Sequence, residues 1–275
     1  MEIKITTLSE NTGSHGFLGE WGWSILIEAE GTRILMDTGM TFTATYNAQL
    51  LGIDLRSIDT IVLSHGHNDH CGGMQEVLQR KQGEVKVLAH PDIWTSKYTT
   101  SRSGYEFIGI PFTREVLESL GARFNLSKQP AEITRNIITT GEVPLLTGYE
   151  TIDSNLLVKE GADYCPDPLV DDLALIIRTE RGLVVILGCA HRGIVNTLRH
   201  AQKLTGEKKI FAVVGGTHLY LASPEHLERT IADLKEMEIK KLGVSHCTGI
   251  MASARLASAF PESFFLNNAG MQFIL

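Results

Sequence analysis

The chain has 275 residues, and 43% of them are hydrophobic, which is enough for a sizeable buried core. Its formal net charge of −7 argues against a broad basic face for nucleic acid. With eight prolines and four cysteines, it shows no linker, disulfide framework, secretion signal or membrane-spanning run. We therefore expect a single cytoplasmic domain over residues 1–275, with a small-molecule substrate and without a nucleic-acid or membrane partner.

The N-terminal part of the chain predicts a β-hairpin followed by a helix and a strand. The hairpin covers residues 21–38, turns near Gly31 and ends at Asp37. Residues 42–51 have helical spacing of apolar side chains, and residues 58–63 form a short β-branched run typical of a buried strand.

The next stretch, residues 64–73, reads SHGHNDHCGG and is the most informative part of the sequence. His65, His67, Asp69 and His70 supply four potential metal ligands within six positions, which a loop that is merely rich in histidine seldom does. Alternate side chains of an extended chain point the same way, so His65 and His67 can chelate one ion. A turn into the following helix would direct Asp69 and His70 to a second ion, and the two ions could share a water.

After this loop the chain completes a βαβ unit and then becomes less regular. An amphipathic helix ends by Gly83, and a strand covers residues 85–89. Residues 91–170 are rich in turn signals, and we expect them to form an insertion over the mouth of the site, where the substrate is selected. Within this segment we predict short elements at residues 114–120, 137–140 and 156–158.

From Asp172 onward, strands and helices alternate again. We predict strands at residues 173–177, 183–187, 210–214 and 241–244, and helices from about residue 194 and over residues 224–237. His191, His218 and His246 each follow a buried strand closely. A metal site along one edge of a sheet would need this repeated placement, whereas separate structural histidines explain it less well. Cys189, also at a strand end, is either a thiolate ligand or a small buried residue.

The HGHNDH run resembles the H-x-H-x-D-H signature of the metallo-β-lactamase superfamily. This resemblance implies an α/β fold, a four-layer αββα sandwich, that holds one or two divalent metal ions. The donor types themselves suit zinc, iron or manganese, and we expect zinc first. It implies that Asp37 braces the loop, although Asp37 could also be an ordinary turn residue. It also implies that His246 is the last histidine ligand and that Cys189 replaces a carboxylate that bridges two metals.

One departure from the superfamily pattern concerns its third signature histidine, because no histidine lies between His90 and His191. His191 could fill that coordination place, His90 could fill it, or one metal could keep an open position. We favour His191, with His90 and His218 as substrate-contacting or supporting groups. Arg102 could pair with a substrate phosphate, or it could be a solvated surface charge.

Three further stretches, GCAHRGIVN, GGTHL and SHCTG, resemble a branch described as 7,8-dihydropterin-6-methyl-4-(β-D-ribofuranosyl)aminobenzene-5′-phosphate synthase or as dihydropteroate-synthase-like metal-dependent hydrolases. The branch implies a hydrolase or synthase that acts on a phosphate- or ester-bearing small molecule, such as a pterin diphosphate, through a metal-bound hydroxide. Asp69 is then the candidate catalytic residue, orienting the water or carrying its proton. The alternative is a non-catalytic metal- or ligand-sensing protein of the same fold. The oligomeric state is left open.

Overall fold

The computed structural model describes residues 2–275. Its strands are β1 (Ile3–Ser9), β2 (Ser24–Ala29), β3 (Thr32–Met36), β4 (Thr60–Val62), β5 (Val85–Ala89), β6 (Lys97–Ser101), β7 (Gly104–Phe107), β8 (Ala122–Leu126), β9 (Glu132–Thr134), β10 (Ile137–Thr139), β11 (Leu156–Glu160), β12 (Asp163–Pro166), β13 (Ala174–Thr179), β14 (Gly182–Leu187), β15 (Ile210–Gly216), β16 (Lys241–Ser245) and β17 (Gln272–Ile274). Its helices are α1 (Thr43–Leu50), α2 (Asn68–Cys71), α3 (Met74–Lys81), α4 (Arg114–Ser119), α5 (Ile194–Thr205), α6 (Pro224–Glu236) and α7 (Ile250–Ala259).

The chain divides into two compact units. The first unit contains the chain up to Lys128 together with Asp153–Asp171 and Asn268–Leu275, and the second contains Gln129–Ile152 and Asp172–Asn267. Each unit is described by itself below. The expected single domain with an insertion at about residues 91–170 stays a prediction.

The first unit is built on a seven-stranded sheet with the order β17-β1-β2-β3-β4-β5-β8. Strands β1, β2 and β3 are antiparallel neighbours, whereas β3, β4, β5 and β8 run parallel. Helices α1 and α3 contribute to one core cluster with this sheet, in which Ala48 and Val77 join Leu35 and Ile61. Because the carboxyl ends of parallel strands share one edge of a sheet, the residues that follow β3, β4 and β5 lie along the same edge.

The predicted hairpin is confirmed, and its two-residue turn sets the register in which β2 and β3 pair. Glu30 and Gly31 both have positive φ angles, 53° and 74°, as a two-residue turn between twisted strands requires. Ala29 consequently pairs with Thr32 across the turn. The predicted helix over residues 42–51 and the helix ending by Gly83 are confirmed as α1 and α3.

The segment from residue 91 to 170 has more regular structure than the sequence indicated. Four of its strands form a separate sheet in the first unit, with the order β12-β11-β6-β7. The three short elements predicted there correspond to α4, β10 and β11. The strands that were not predicted are three to five residues long, which is too short for a clear alternation of apolar and polar side chains.

The second unit is built on a six-stranded sheet with the order β16-β15-β14-β13-β10-β9. Strands β14, β15 and β16 run parallel, with Ile186 opposite Val214 and Gly216 opposite Ser245. Helices α5, α6 and α7 share a core cluster with one face of this sheet. The predicted α/β class is confirmed, since each large sheet carries its own helices. Among residues 2–275, no helix combines the length and the hydropathy needed to cross a membrane.

Candidate functional site

The histidine loop, residues 64–73, leaves the carboxyl end of β4 and enters the single turn of α2. His65 and His70 are fully buried, and His67 is only 4% exposed. Two glycines allow this tight path. A Cβ atom on Gly72 would lie 2.2 Å from the carbonyl oxygen of Met40, and one on Gly73 would lie 2.1 Å from that of Thr38. The Gly-Gly pair therefore lets the first unit pack backbone against backbone at the loop.

Asp37, directly after β3, holds the loop through three hydrogen bonds. Its carboxylate accepts from the Ser64 N–H at 2.7 Å, from the Ser64 hydroxyl at 2.7 Å and from His70 Nδ1 at 2.7 Å. Asp37 is completely buried and has a φ angle of 58°. A left-handed conformation costs a non-glycine residue on the order of 1 kcal/mol or more, and such strain is concentrated at functional sites.

These contacts fix which ring nitrogens of the loop histidines carry lone pairs. A carboxylate only accepts, so His70 Nδ1 carries the proton and His70 Nε2 has the lone pair. Ser64 donates its one hydroxyl hydrogen to Asp37, so its oxygen accepts from His65 Nδ1 at 2.9 Å. His65 Nε2 then has the lone pair, and it lies 3.0 Å from His67 Nδ1. Two ring nitrogens at this separation can bind one metal ion.

Three other groups near the loop differ in what they can do. Asp69 places Oδ2 4.0 Å from His70 Nε2, so its carboxylate lies beside the histidine donors. His90, at the end of β5, uses Nδ1 to accept the Asp92 N–H at 3.1 Å, which caps the 3₁₀ turn Pro91–Trp94. The thiol of Cys71 donates to the carbonyl oxygen of His65 at 3.1 Å. Burial, and then the neighbouring carboxylates, raise the pKa of Cys71, so it braces the loop as a neutral donor.

The sequence analysis did not identify a buried lysine that also supports the loop. Lys97, on β6, is 1% exposed, and its ammonium group lies 2.8 Å from Asp167 Oδ2 and 2.9 Å from Asp171 Oδ1. Asp171 Oδ2 accepts the N–H of Gly66, the residue between the first two loop histidines, at 2.9 Å. Burial alone would lower the pKa of Lys97, but the two carboxylates outweigh it and raise that pKa. We call these three residues the lysine triad.

Arg102, the predicted phosphate contact, lies in the turn between β6 and β7 and is exposed. This turn belongs to the four-stranded sheet that also carries Lys97. The phosphate-binding role of Arg102 stays a prediction.

The second unit gathers the remaining candidates into a Cys–His cluster, which consists of Cys189, His191, His218 and His246. Cys189 Sγ lies within 4.8 Å of a ring nitrogen of His191 and within 4.8 Å of a ring nitrogen of His246. The ring centroids of His191 and His218 are 4.1 Å apart. Three of these four residues are buried, and His218 is half-buried. The strand-end pattern in the sequence therefore corresponds to a real grouping of side chains.

The backbone of this cluster is strained at the points where three parallel strands end. Ala190, His218 and His246 have φ angles of 51°, 49° and 52°. Cys247, which sequence reasoning left without a role, supports these turns. Its sulfur accepts the N–H of His218 at 3.2 Å, and its thiol lies 3.5 Å from the carbonyl oxygen of Cys189. Cys247 thus links the ends of β14, β15 and β16.

The donor atoms of both units fit a divalent metal ion. Imidazole nitrogens with a carboxylate, as in the histidine loop, suit zinc, iron and manganese, and a thiolate with imidazoles, as in the Cys–His cluster, suits zinc or ferrous iron. In the second unit, a hydrogen bond also connects the segment before β13 with the turn after β14: Asp172 Oδ2 accepts the backbone N–H of Arg192 at 2.9 Å.

Comparisons with known proteins place these features in one family. The sequence-family model of the metallo-beta-lactamase superfamily matches residues 22–149, which contain the hairpin and the histidine loop. In Methanocaldococcus jannaschii, 7,8-dihydropterin-6-methyl-4-(beta-D-ribofuranosyl)-aminobenzene-5′-phosphate synthase is 35% identical over 281 residues, covering 98% of this chain and 95% of the relative. An uncharacterized protein of the same organism is 34% identical over 256 residues, covering 92% of this chain and 93% of the relative.

A solved structure has the same fold over almost its whole length. Tm1679, described as a metal-dependent hydrolase of the beta-lactamase superfamily, has a TM-score of 0.85 and 28% identity, with 98% of each chain covered. The sequence match to the synthase and this structural match both extend far beyond the histidine motif. The chain belongs to the metallo-β-lactamase superfamily, and within it resembles the pterin-related synthase.

Proposed function

We propose that this protein is a metal-dependent enzyme that acts on a phosphorylated, pterin-bearing small molecule. The observation that carries the proposal is the 35% identity to the synthase of Methanocaldococcus jannaschii over 98% of this chain. The name of that relative describes a bond between a dihydropterin methyl group and an aminobenzene ribose phosphate. We propose the same condensation here, with a dihydropterin diphosphate as the electrophilic substrate.

The proposed metal ligands are four residues of the histidine loop and three of the four residues of the Cys–His cluster. They are His65, His67, Asp69, His70, Cys189, His191 and His246. We propose zinc as the metal, because thiolate, imidazole and carboxylate donors are all present. We propose two ions, because seven ligands exceed the four that one zinc ion usually binds. When bound, such ions stabilise negative charge on oxygen and lower the pKa of water.

The residues of the chain would contribute orientation and proton transfer. Asp37 and Ser64 keep the lone pairs of His65 and His70 on Nε2, so these rings need no rearrangement before they bind metal. In the condensation, the aminobenzene nitrogen forms a bond to the pterin methyl carbon while the bond from that carbon to the diphosphate oxygen breaks. The diphosphate leaves with the electron pair. We propose that Asp69 accepts the proton that the nitrogen loses.

Hydrolysis is the second candidate, because Tm1679, 28% identical over 98% of each chain, is described as a metal-dependent hydrolase. In that reaction water replaces the aminobenzene nitrogen, and Asp69 takes the proton of the water. The same ligand set would serve both reactions, so the difference must lie in which second substrate the protein binds.

One incubation series distinguishes these candidates. Protein as purified is incubated with dihydropterin methyl diphosphate, with and without the aminobenzene ribose phosphate, and the products are identified by mass spectrometry. Condensation predicts a coupled product and diphosphate only when both substrates are present. Hydrolysis predicts that dihydropterin methyl diphosphate is converted even without the second substrate. Phosphodiesters, thioesters and lactones are then assayed as further candidate substrates of a hydrolase. His67→Ala should remove either activity, whereas the exposed control Glu84→Ala should keep it.

A sensor of the same fold predicts a different result. It would bind metal or ligand and convert none of these compounds. Metal-loaded protein that binds the pterin diphosphate but turns over nothing would overturn the proposed enzyme.

A further inference from the structure

A cavity of about 930 Å³ lies in the second unit, away from the Cys–His cluster. It is lined by residues from the C-terminal halves of α5 and α6 and from the segments that precede β14, β15 and β16. The Cys–His cluster follows the opposite ends of these strands. Strands of six or seven residues, with a rise of about 3.3 Å per residue, separate the two places by roughly 20 Å.

The charge of this cavity is opposite to that of the whole chain. Its lining contains six lysines and arginines and three acidic residues, whereas the chain as a whole has a net charge of −7. Two of the cations have acidic partners, because Arg199 lies 2.8 Å from Asp233 and Lys240 lies 3.8 Å from Glu238.

The other four cations make no ion pair within 4.0 Å in the described part of the chain, residues 2–275. They are Arg181, Lys203, Lys208 and Lys209. All four are exposed, so water solvates them in the absence of a ligand. Four unpaired cations around one concavity create a positive potential that attracts anions.

Helix ends explain only part of this charge. Lys203 lies in the last turn of α5, where a cation offsets the partial negative charge of the helix terminus. Lys208 and Lys209 lie after that helix has ended at Thr205, and Arg181 lies in the turn between β13 and β14. The helix-terminus effect decays within one turn, so it does not account for these three cations.

We propose that this basic cavity binds a small molecule that carries two or three linked phosphate groups. A volume of about 930 Å³ falls within the range of roughly 300–1,000 Å³ typical of small-molecule sites. The guanidinium group of Arg181 lies 4.0 Å from the centroid of the Phe211 ring, and this stacking holds its planar donors in place for bidentate contact with a phosphate. Several adjacent cations favour linked phosphates over a single one, because each anionic group can then meet its own partner.

Calorimetric titration of the purified 275-residue protein with tripolyphosphate tests the proposal. The titration is done at about 0.15 M salt, where exposed charges farther apart than about 8 Å are screened. The test variant is Arg181→Gln/Lys209→Gln. The control is Lys235→Gln/Lys241→Gln, which removes two exposed lysines outside the cavity lining. We expect Kd to rise at least tenfold in the test variant and to stay within twofold in the control. Inorganic phosphate should bind at least tenfold more weakly than tripolyphosphate.

Tripolyphosphate can also bind a metal centre, and the paired variants separate the two sites. Binding that is equally strong in the test and control variants would place the ligand elsewhere and overturn the proposal. Absence of binding to the wild-type protein would overturn it as well, and so would equal affinity for phosphate and tripolyphosphate. Unchanged thermal unfolding of both double variants excludes loss of fold as the cause of weaker binding.

Discussion

Replacing Lys97 with methionine should weaken metal binding, although Lys97 is not a proposed ligand. The change removes the ammonium group that lies within 2.9 Å of both Asp167 and Asp171. Removing one partner of a buried ion pair typically costs about 3–5 kcal/mol, because the remaining charge is left without compensation. Both carboxylates are almost fully buried, so we expect a loss of this size in the free energy of unfolding.

The loss should reach the histidine loop through one hydrogen bond. Burial already raises the pKa of Asp171, and without Lys97 the carboxyl group should become protonated. A neutral carboxyl group accepts more weakly than a carboxylate, so the hydrogen bond from the Gly66 N–H to Asp171 Oδ2, at 2.9 Å, would weaken. A hydrogen bond to a charged group contributes about 1.5–3 kcal/mol and one to a neutral group about 0.5–1.5 kcal/mol, so the difference of about 1–1.5 kcal/mol corresponds to a roughly 5- to 10-fold rise in the metal Kd.

Two assays measure these effects, with Lys159→Met as the matched control. Lys159, on the neighbouring strand β11, is exposed, so its loss should change stability by less than about 0.5 kcal/mol. Urea unfolding gives the stability, and competition with a chromophoric chelator gives the metal Kd. The visible spectrum of the cobalt-substituted protein should also change in Lys97→Met, because the loop ligands shift. If Lys97→Met lowers stability but leaves both the metal Kd and the cobalt spectrum unchanged, the lysine triad does not position the loop.

Three further predictions test the loop, the thiolate and the pH response. Asp37→Asn should raise the metal Kd about 10- to 100-fold in chelator competition, because an amide cannot accept all three hydrogen bonds of the buried carboxylate; the exposed control Asp54→Asn should leave the Kd unchanged. Cys189→Ser should remove the near-ultraviolet thiolate–cobalt charge-transfer band, whereas Cys247→Ser should keep it, and a band that survives Cys189→Ser would exclude this thiolate as a ligand. Because the folded-state pKa of Lys97 is raised above its ordinary value of 10.5, its ion pairs should stabilise the fold fully below about pH 10 and progressively less above that. Urea unfolding at pH 8 to 11 should therefore show a steeper alkaline loss in the wild type than in Lys97→Met.

Local patterns carried enough information to predict most of the two large sheets. The hairpin turn at Glu30-Gly31 and the apolar runs of β5 and β14 depend on neighbouring residues, and the structure confirms them. The grouping of Cys189 with His246 was also predictable in outline, because both follow parallel strands whose ends share an edge.

The lysine triad shows what such patterns could not provide. Lysine is almost never fully buried unless it is paired, and Asp167 and Asp171 lie 70 and 74 positions beyond Lys97. No local periodicity connects residues that far apart. The strands that bring them together, β6 and β11, have five residues each, which is too short for an alternation to stand out from chance.

The structure also adds a physical argument on the missing third histidine, for which the sequence left His90, His191 and an open coordination position as alternatives. His90 caps a 3₁₀ turn, and Nδ1 accepts the N–H of Asp92, so metal binding by that nitrogen would leave the N–H without its acceptor. Only Nε2 of His90 could serve without loss of the cap. His191 instead has a ring nitrogen within 4.8 Å of Cys189 Sγ, and its ring lies 4.1 Å from that of His218. Because donors already gathered in one cluster lose less conformational entropy on binding an ion, this arrangement favours His191 as the ligand.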